Sequence, residues 1–409
     1  CGLVMIDERV FSMPHFAEGY IEYLISHEVG HQWWYNVIGT DGYHETFMDE
    51  AFATYFAHRL LNQAEGKNNQ LLKFPKGLNW LPGIGREDYR YSQFYATLRN
   101  GDLGPAVQEM TKYRHVGNLF SAVYDRGGKI VGMLEERLGE TAFFEFMRGI
   151  YHKYYFRILS AADFQRELEE YTGRSWADFF KNWLHENGMT DWSVEEAKVT
   201  RSESKEPDKL PFLATVILHQ KAEYSEPTTL GFSFDDGQTY NVRVPIVPVS
   251  GLENIEQTNA TVELLPDKRV KVVVQLAQEP QQITVDPDQV LPDATPANNY
   301  WKPKVKYRFT PLYTFLDETS LTTAYDRWNV IVGPWAYGPS YADAWFKREV
   351  LIHEPMLMRF IARVWPRREE WADIRQEAYA RVYEAARASR PHTPKAFLFS
   401  TTRHLMTDR

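Results

Sequence analysis

Apolar positions recur at helical spacing from residue 17 onward. Ile21, Leu24, Ile25 and Val29 mark the apolar face of an expected helix over 17–37. A turn-rich break over 39–44 separates it from a second expected helix over 45–64, which Gly66 closes. Ahead of both, the short apolar run 2–6 reads as a strand. Residues 66–118 are polar and irregular, punctuated by Pro75, Pro82, Gly83 and Gly85, and yield no element. Another helix opens within 121–129, and 128–138, 141–154, 160–171 and 175–186 follow as amphipathic helices. Ser160 with Asp163, and Ser175 with Asp178, supply the hydroxyls and first-turn carboxylates that suit helix starts. Trp33, Trp34, Phe47, Phe52 and Phe56 read as packing between the first two helices, with an aromatic substrate pocket as the alternative.

From about residue 205 the period shortens to two. Residues 213–218, 239–249, 261–265, 270–276 and 282–285 are strand-like and separated by turns such as Asp236-Gly237, which suggests a small β-sandwich. Residues 303–350 are aromatic and turn-rich, with Gly333-Pro334 and Gly338-Pro339, and stay unassigned. Beyond 350, Leu357, Phe360, Ile361 and Val364 make one helical face, and Ile374, Ala378, Val382 and Ala385 another. The expected fold is multidomain α+β: a mostly helical part, then a small β-sandwich, then a short all-helical tail.

Composition agrees with globular domains. Of 409 residues, 44% are hydrophobic and 15% aromatic, enough for more than one packed core. No run reaches the ~18 apolar residues of a spanning helix. The single cysteine, Cys1, leaves no internal disulfide to form. No signal peptide is legible; any targeting signal is expected upstream of residue 1, and the compartment stays open. The net charge of −9 is uneven, because residues 351–409 carry +4 on their own, which suggests a different origin for the tail.

Candidate chemistry lies in His27-Glu28-Val29-Gly30-His31. Imidazoles four residues apart lie one above the other on a helix and can reach one metal ion. Glu28, between them, can aim at a water on that ion. Nitrogen ligands suit zinc, which keeps an open position beside three protein ligands in catalytic sites. Glu50, on the second helical pattern, is placed to be the third ligand. The five-residue motif alone recurs by chance; Glu50 makes it specific. His44 is a further candidate ligand, set against the plainer reading of a polar loop residue.

With Gln32-Trp33-Trp34 and Glu50, this motif resembles the gluzincin zinc aminopeptidases of the aminopeptidase N type, over roughly residues 1–302. The resemblance implies a thermolysin-like catalytic half-domain over 1–198, with His27, His31 and Glu50 binding Zn²⁺ and Glu28 activating the zinc-bound water. It implies a peptide substrate cut at its N-terminal residue. Tyr124, in Tyr124-Asp125-Arg126-Gly127, matches a tyrosine whose hydroxyl steadies the oxyanion in that family; Arg126 stands where a lysine is usual. Asp49-Glu50-Ala51 replaces the usual Asn-Glu-Gly, a change expected in the hydrogen bonding around the ligand rather than in ligation. The family's Gly-x-Met-Glu-Asn segment would fall just before Cys1, so a fragment beginning within the catalytic domain is expected. A β domain over 205–302 and a linker over 303–350 follow.

The tail, through residues 373–379 and 395–409, resembles region 2 of extracytoplasmic-function sigma factors. That likeness implies an RNA polymerase or promoter-DNA partner for 351–409, and the basic charge suits phosphate contact. Three readings result: a zinc metallopeptidase, an inactive zinc-binding fragment, and a sigma-like transcription factor acting through the tail.

Overall fold

The computed structural model describes residues 2–67, 69–73, 76–77, 84–99, 101–201, 210–235, 239–247, 260–309, 325–333, 346, 349–388, 391 and 393–407. The Asp236-Gly237 turn and most of 303–350 lie outside these. The chain divides into two compact units: Cys1–Thr310 with Leu316–Val332, and Pro311–Phe315 with Gly333–Arg409.

In the first unit, helix α1 spans Glu18–Gly30 and helix α2 spans Phe47–Glu65. Asp49 and Glu50 occupy the first turn of α2, where carboxylates favour the helix dipole. Gly66 ends that helix at φ +90°, a conformation that costs glycine little. The first helix is shorter than its pattern suggests. The chain turns at His31, Asn36 donates from its backbone and side-chain nitrogens to the His31 carbonyl, and Tyr35 takes φ +99°. This break frees strand β1 (Ile38–Gly39) to pair in parallel with β2 (Arg157–Ile158), burying Ile38 completely. The expected apolar face is also displaced. Ile25 and Val29 are exposed, whereas Gly19, His27 and Gly30 are buried, so α1 packs through small and polar residues.

Two further differences concern 2–118. Residues 2–6 form no strand; Gln32 holds them instead, accepting from Gly2 N at 2.8 Å and donating to the Leu3 carbonyl at 3.0 Å. Helix α3 (Arg86–Arg99) lies in the stretch that yielded no element. It buries Tyr91, Phe94 and Tyr95 together with Arg86 and Arg90, so its inward face does not read as apolar.

Helix α4 (Val116–Leu119) runs into a π-helical turn, Phe120–Asp125, and then into α5 (Arg126–Leu138). Helices α6 (Glu140–Lys153) and α7 (Ala161–Thr172) match their patterns closely. Ser160 caps α7 reciprocally with Asp163: Asp163 N donates to Ser160 Oγ at 3.1 Å, and Ser160 N to Asp163 Oδ2 at 3.4 Å. The next helix starts at Ala177; Ser175 Oγ accepts from Ala177 N at 3.2 Å and Asp178 lies in the first turn, as expected, although Trp176 holds the cap position. Trp34 stacks on Phe52 at 4.5 Å, and Phe52 meets Phe164 edge-on at 5.3 Å. The aromatic residues between the helices are therefore packing, except Trp33, which is half exposed.

Beyond the helices lie two four-stranded antiparallel sheets. Strands β3 (Trp192–Arg201), β4 (Phe212–Gln220), β8 (Arg269–Leu276) and β7 (Ala260–Leu265) form one, in that order. Strands β10 (Tyr300–Trp301), β9 (Gln282–Val285), β5 (Thr228–Ser233) and β6 (Val242–Ile246) form the other. The first strand precedes the change of period expected near residue 205. Alternate residues Ala214, Val216 and Leu218 point into the same core as the helices. Trp183 Nε1 donates to Glu226 at 2.7 Å, tying the last helical turn to the strand-rich part, and Trp192 N, at the start of β3, donates to Asp293 Oδ2 at 2.9 Å. Within 303–350, β11 (Val305–Phe309) pairs in parallel with β12 (Trp328–Val332).

The second unit contains helices α9 (Glu354–Val364), α10 (Trp371–Ala388) and α11 (Pro394–Thr407), α8 being Ala177–Phe180 above. Leu357, Ile361, Ile374, Ala378, Val382, Leu398 and Leu405 form its core. Val364, placed on the apolar face, is exposed, and Ala386 takes the buried place expected for Ala385. Among the described residues no helix is long and apolar enough to cross a membrane.

Replacing Ser160 with Ala removes the cap acceptor of α7. The expected loss is about 1 kcal/mol, read as a lower urea midpoint, with Ser160→Asp close to the native value.

Candidate metal centre

The close crossing of α1 and α2 sets the site. A Cβ on Gly30 would lie 3.3 Å from Ala53 Cα, tighter than almost all real contacts, so the glycine lets the backbones approach. From the other side, a Cβ on Gly127 would come 2.9 Å from Ala51 Cβ, which brings α5 equally near. Gly30, between the two histidines, and Ala51, next to Glu50, are thus small for a steric reason.

At this crossing three donor atoms converge. His27 Nε2 lies 3.0 Å from Glu50 Oε2, His31 Nε2 lies 3.1 Å from the same oxygen, and the two nitrogens are 3.2 Å apart. His27, His31 and Glu50 are the one such group of metal-ligating side chains among the described residues. Nitrogen and oxygen donors at zinc distances of ~2.0–2.1 Å in a tetrahedron lie about 3.3 Å apart. The observed triangle fits that requirement closely, and its donor set of two imidazoles and one carboxylate suits zinc.

The rings are held from behind. His31 Nδ1 is 3.2 Å from the Trp34 carbonyl, and His27 Nδ1 is 3.3 Å from Thr54 Oγ1. Burial alone would raise the Glu50 carboxyl, but hydrogen bonds from His27 and His31 outweigh it and hold it at about 2. Burial pulls His31 down, and Glu50 more than compensates, so its net shift is upward. Asp49 is not a ligand. Its Oδ1 accepts from Glu50 N at 2.8 Å and its Oδ2 from Thr40 at 3.1 Å. Burial, then the neighbouring Glu50 charge, push Asp49 up to about 6.

A cavity of about 1260 Å³ opens on these atoms. Its wall includes Glu28, Tyr124, Asp41, Met110 and Phe120 as well as the three donors. Glu28 is half-buried, and among the described residues no side chain pairs with its carboxylate. Tyr124 projects from the π-helical turn, stacks on His27 with ring centres 5.6 Å apart, and lies within reach of the Glu50 charge. Burial first, and Glu50 second, raise its phenol, so it remains protonated and able to donate. All five residues singled out by sequence therefore meet around one cavity. His44 does not: it is exposed and bonded to Asp41 at 2.7 Å. Trp33, Trp34, Phe47, Phe52 and Phe56 do not line the cavity; its aromatic wall comes from Tyr20, Tyr23, Tyr35, Tyr43, Tyr89, Phe120 and Tyr124. Thr54 and Tyr23 carried no signal in the sequence, because their relation to His27 exists only across the helix crossing.

Comparison with known proteins finds two partial likenesses. Residues 2–183 match the family model described as Peptidase family M1 domain, and residues 350–409 match Sigma-70 region 2. Aminopeptidase N of Lactococcus lactis subsp. lactis is 23% identical over 174 residues, 42% of this chain and 19% of that protein. Glutamyl aminopeptidase of Bitis rhinoceros is 23% identical over 228 residues, 54% of this chain and 21% of that protein. The chain thus spans about a fifth of the length of the curated relatives it matches. The crystal structure of Legionella pneumophila aminopeptidase A in complex with aspartic acid covers 64% of this chain and 25% of its own, at 11% identity and a TM-score of 0.39. The first part of the chain resembles the M1 aminopeptidases, and the tail resembles sigma-70 region 2.

Removing one donor of three should abolish metal retention. Elemental analysis after gel filtration is expected to find zinc with the native chain and with His44→Ala, and none with His31→Ala, at unchanged helical circular dichroism.

Proposed function

We propose that this chain is a zinc-dependent peptidase of the aminopeptidase type, its helical catalytic part followed by a β-sandwich and a sigma-like tail. The observation that carries this reading is the convergence of His27 Nε2, His31 Nε2 and Glu50 Oε2 to within 3.2 Å of one another, at the wall of a cavity shared with Glu28 and Tyr124. His27, His31 and Glu50 would hold Zn²⁺. When bound, the ion would supply Lewis-acid polarisation of the scissile carbonyl and make a nearby water easier to deprotonate. Glu28 takes the proton of the attacking water and passes it to the leaving amine. Its position between the two histidines in sequence, and a carboxylate with no side-chain partner among the described residues, suit that role. Tyr124 donates a hydrogen bond to the developing oxyanion; a phenol kept protonated by burial is ready to do so. Preference for the N-terminal residue of a peptide rests on the family resemblance.

The tail supports a second reading. Residues 350–409 match Sigma-70 region 2, and α10 and α11 pack together over Ile374, Ala378 and Leu398 while Arg381, Lys395 and Arg403 stay exposed. On this reading the tail docks on RNA polymerase and faces promoter DNA. Capture of core polymerase by the full chain, and its loss on removing 351–409, is the expected result; equal capture by both would contradict it.

For the peptidase, Glu28→Gln should retain zinc and lose about 10²–10⁴-fold in hydrolysis of aminoacyl anilides. Tyr124→Phe should lower kcat about 10²–10³-fold at unchanged zinc content. Full activity in Glu28→Gln would overturn the mechanism. Zinc bound by the native chain without any hydrolysis would leave a metal-binding protein and no enzyme.

A further inference from the structure

The two imidazoles of the triad are held by chemically different partners. His31 Nδ1 faces the Trp34 carbonyl oxygen at 3.2 Å, an atom that only accepts. His31 Nδ1 therefore carries a proton in either state, and Nε2, 3.1 Å from Glu50 Oε2, is the nitrogen left to ligate when a metal binds. His27 Nδ1 faces Thr54 Oγ1 at 3.3 Å, a hydroxyl that can either donate or accept. Among the described residues it is the one hydrogen-bonding partner of that nitrogen. Thr54 is fully buried, and the Tyr23 phenol is its other polar neighbour. Gly128 seals it in: a Cβ there would lie 3.1 Å from Thr54 Cγ2. The tight packing leaves little room for water to replace the hydroxyl.

This matters because His27 must serve two states. Without a metal ion, Glu50 Oε2 at 3.0 Å from Nε2 favours a proton on that nitrogen. When Nε2 ligates a metal, the ring proton has to be on Nδ1 and needs an acceptor there. We propose that Thr54, backed by Tyr23, is the positioning residue that sets the His27 tautomer. In the metal-free state its hydroxyl donates to Nδ1. In the loaded state it accepts the Nδ1 proton and points its own proton at the Tyr23 oxygen. The imidazole keeps one proton throughout, exchanged between its nitrogens through solvent. The inference rests on the zinc reading above and adds to it a residue that touches neither ion nor substrate.

The test is zinc affinity of metal-free chains, measured by competition with a chromophoric chelator. Thr54→Val has nearly the same shape and no oxygen; it should weaken zinc binding about 10- to 100-fold. Thr54→Ser should recover most of that loss, and Tyr23→Phe should lose less than Thr54→Val. In ¹⁵N-histidine spectra of the native zinc-loaded chain, both ligand rings should carry the proton on Nδ1. Native-like affinity in Thr54→Val would overturn the role of Thr54 and leave the zinc reading standing, whereas a His27 proton on Nε2 in the loaded chain would overturn both. A native chain that binds no zinc would overturn both.

Discussion

Everything at this site depends on how closely two helices approach. Gly30 on α1 meets Ala53 on α2 so closely that a Cβ there would lie 3.3 Å from Ala53 Cα and force the helices apart by a few tenths of an ångström. That approach brings Nε2 of two histidines and one carboxylate oxygen into a triangle with sides of 3.0–3.2 Å. A carboxylate so placed is costly to bury alone, and its pairing with imidazoles holds it ionised. The same crossing carries Thr54 behind His27, and Gly127 and Gly128 let α5 close over the far side. Small residues thus determine the metal geometry as much as the ligands do.

The scaffold behind that crossing is cooperative across secondary-structure types. Trp34, Phe52 and Phe164 interlock three segments, and Glu226 accepts both from Trp183 of the last helical turn and, through its carbonyl, from Trp192 at the start of β3. Arg126 shows how far the first unit invests in buried polar groups. It is completely buried, and its guanidinium donates to the carbonyls of Gly188 and Glu186. That clamp fixes the chain immediately after Tyr124, so the departure from lysine at this position still anchors the turn that presents the phenol.

The triad was legible in the sequence because its geometry is largely local. A spacing of four on a helix puts His27 and His31 together whatever surrounds them, and Glu50 declared itself by lying on a second helical pattern. The capping box at Ser160 and Asp163 was legible for the same reason. What failed to show was non-local. Residues 2–6 have strand composition, yet a glutamine side chain rather than a neighbouring strand holds them. Helix α3 buries arginines and tyrosines, so an apolar period cannot find it. The π-helical turn under Tyr124, and Thr54 beside His27, depend on contacts between segments far apart in the chain.

X-ray absorption at the zinc edge of the metal-loaded chain tests the central claim most directly. The account predicts a first shell of nitrogen and oxygen donors at ~2.0–2.1 Å, with outer-shell scattering from two imidazole rings. A shell containing sulfur, or the scattering of fewer than two imidazoles, would contradict it.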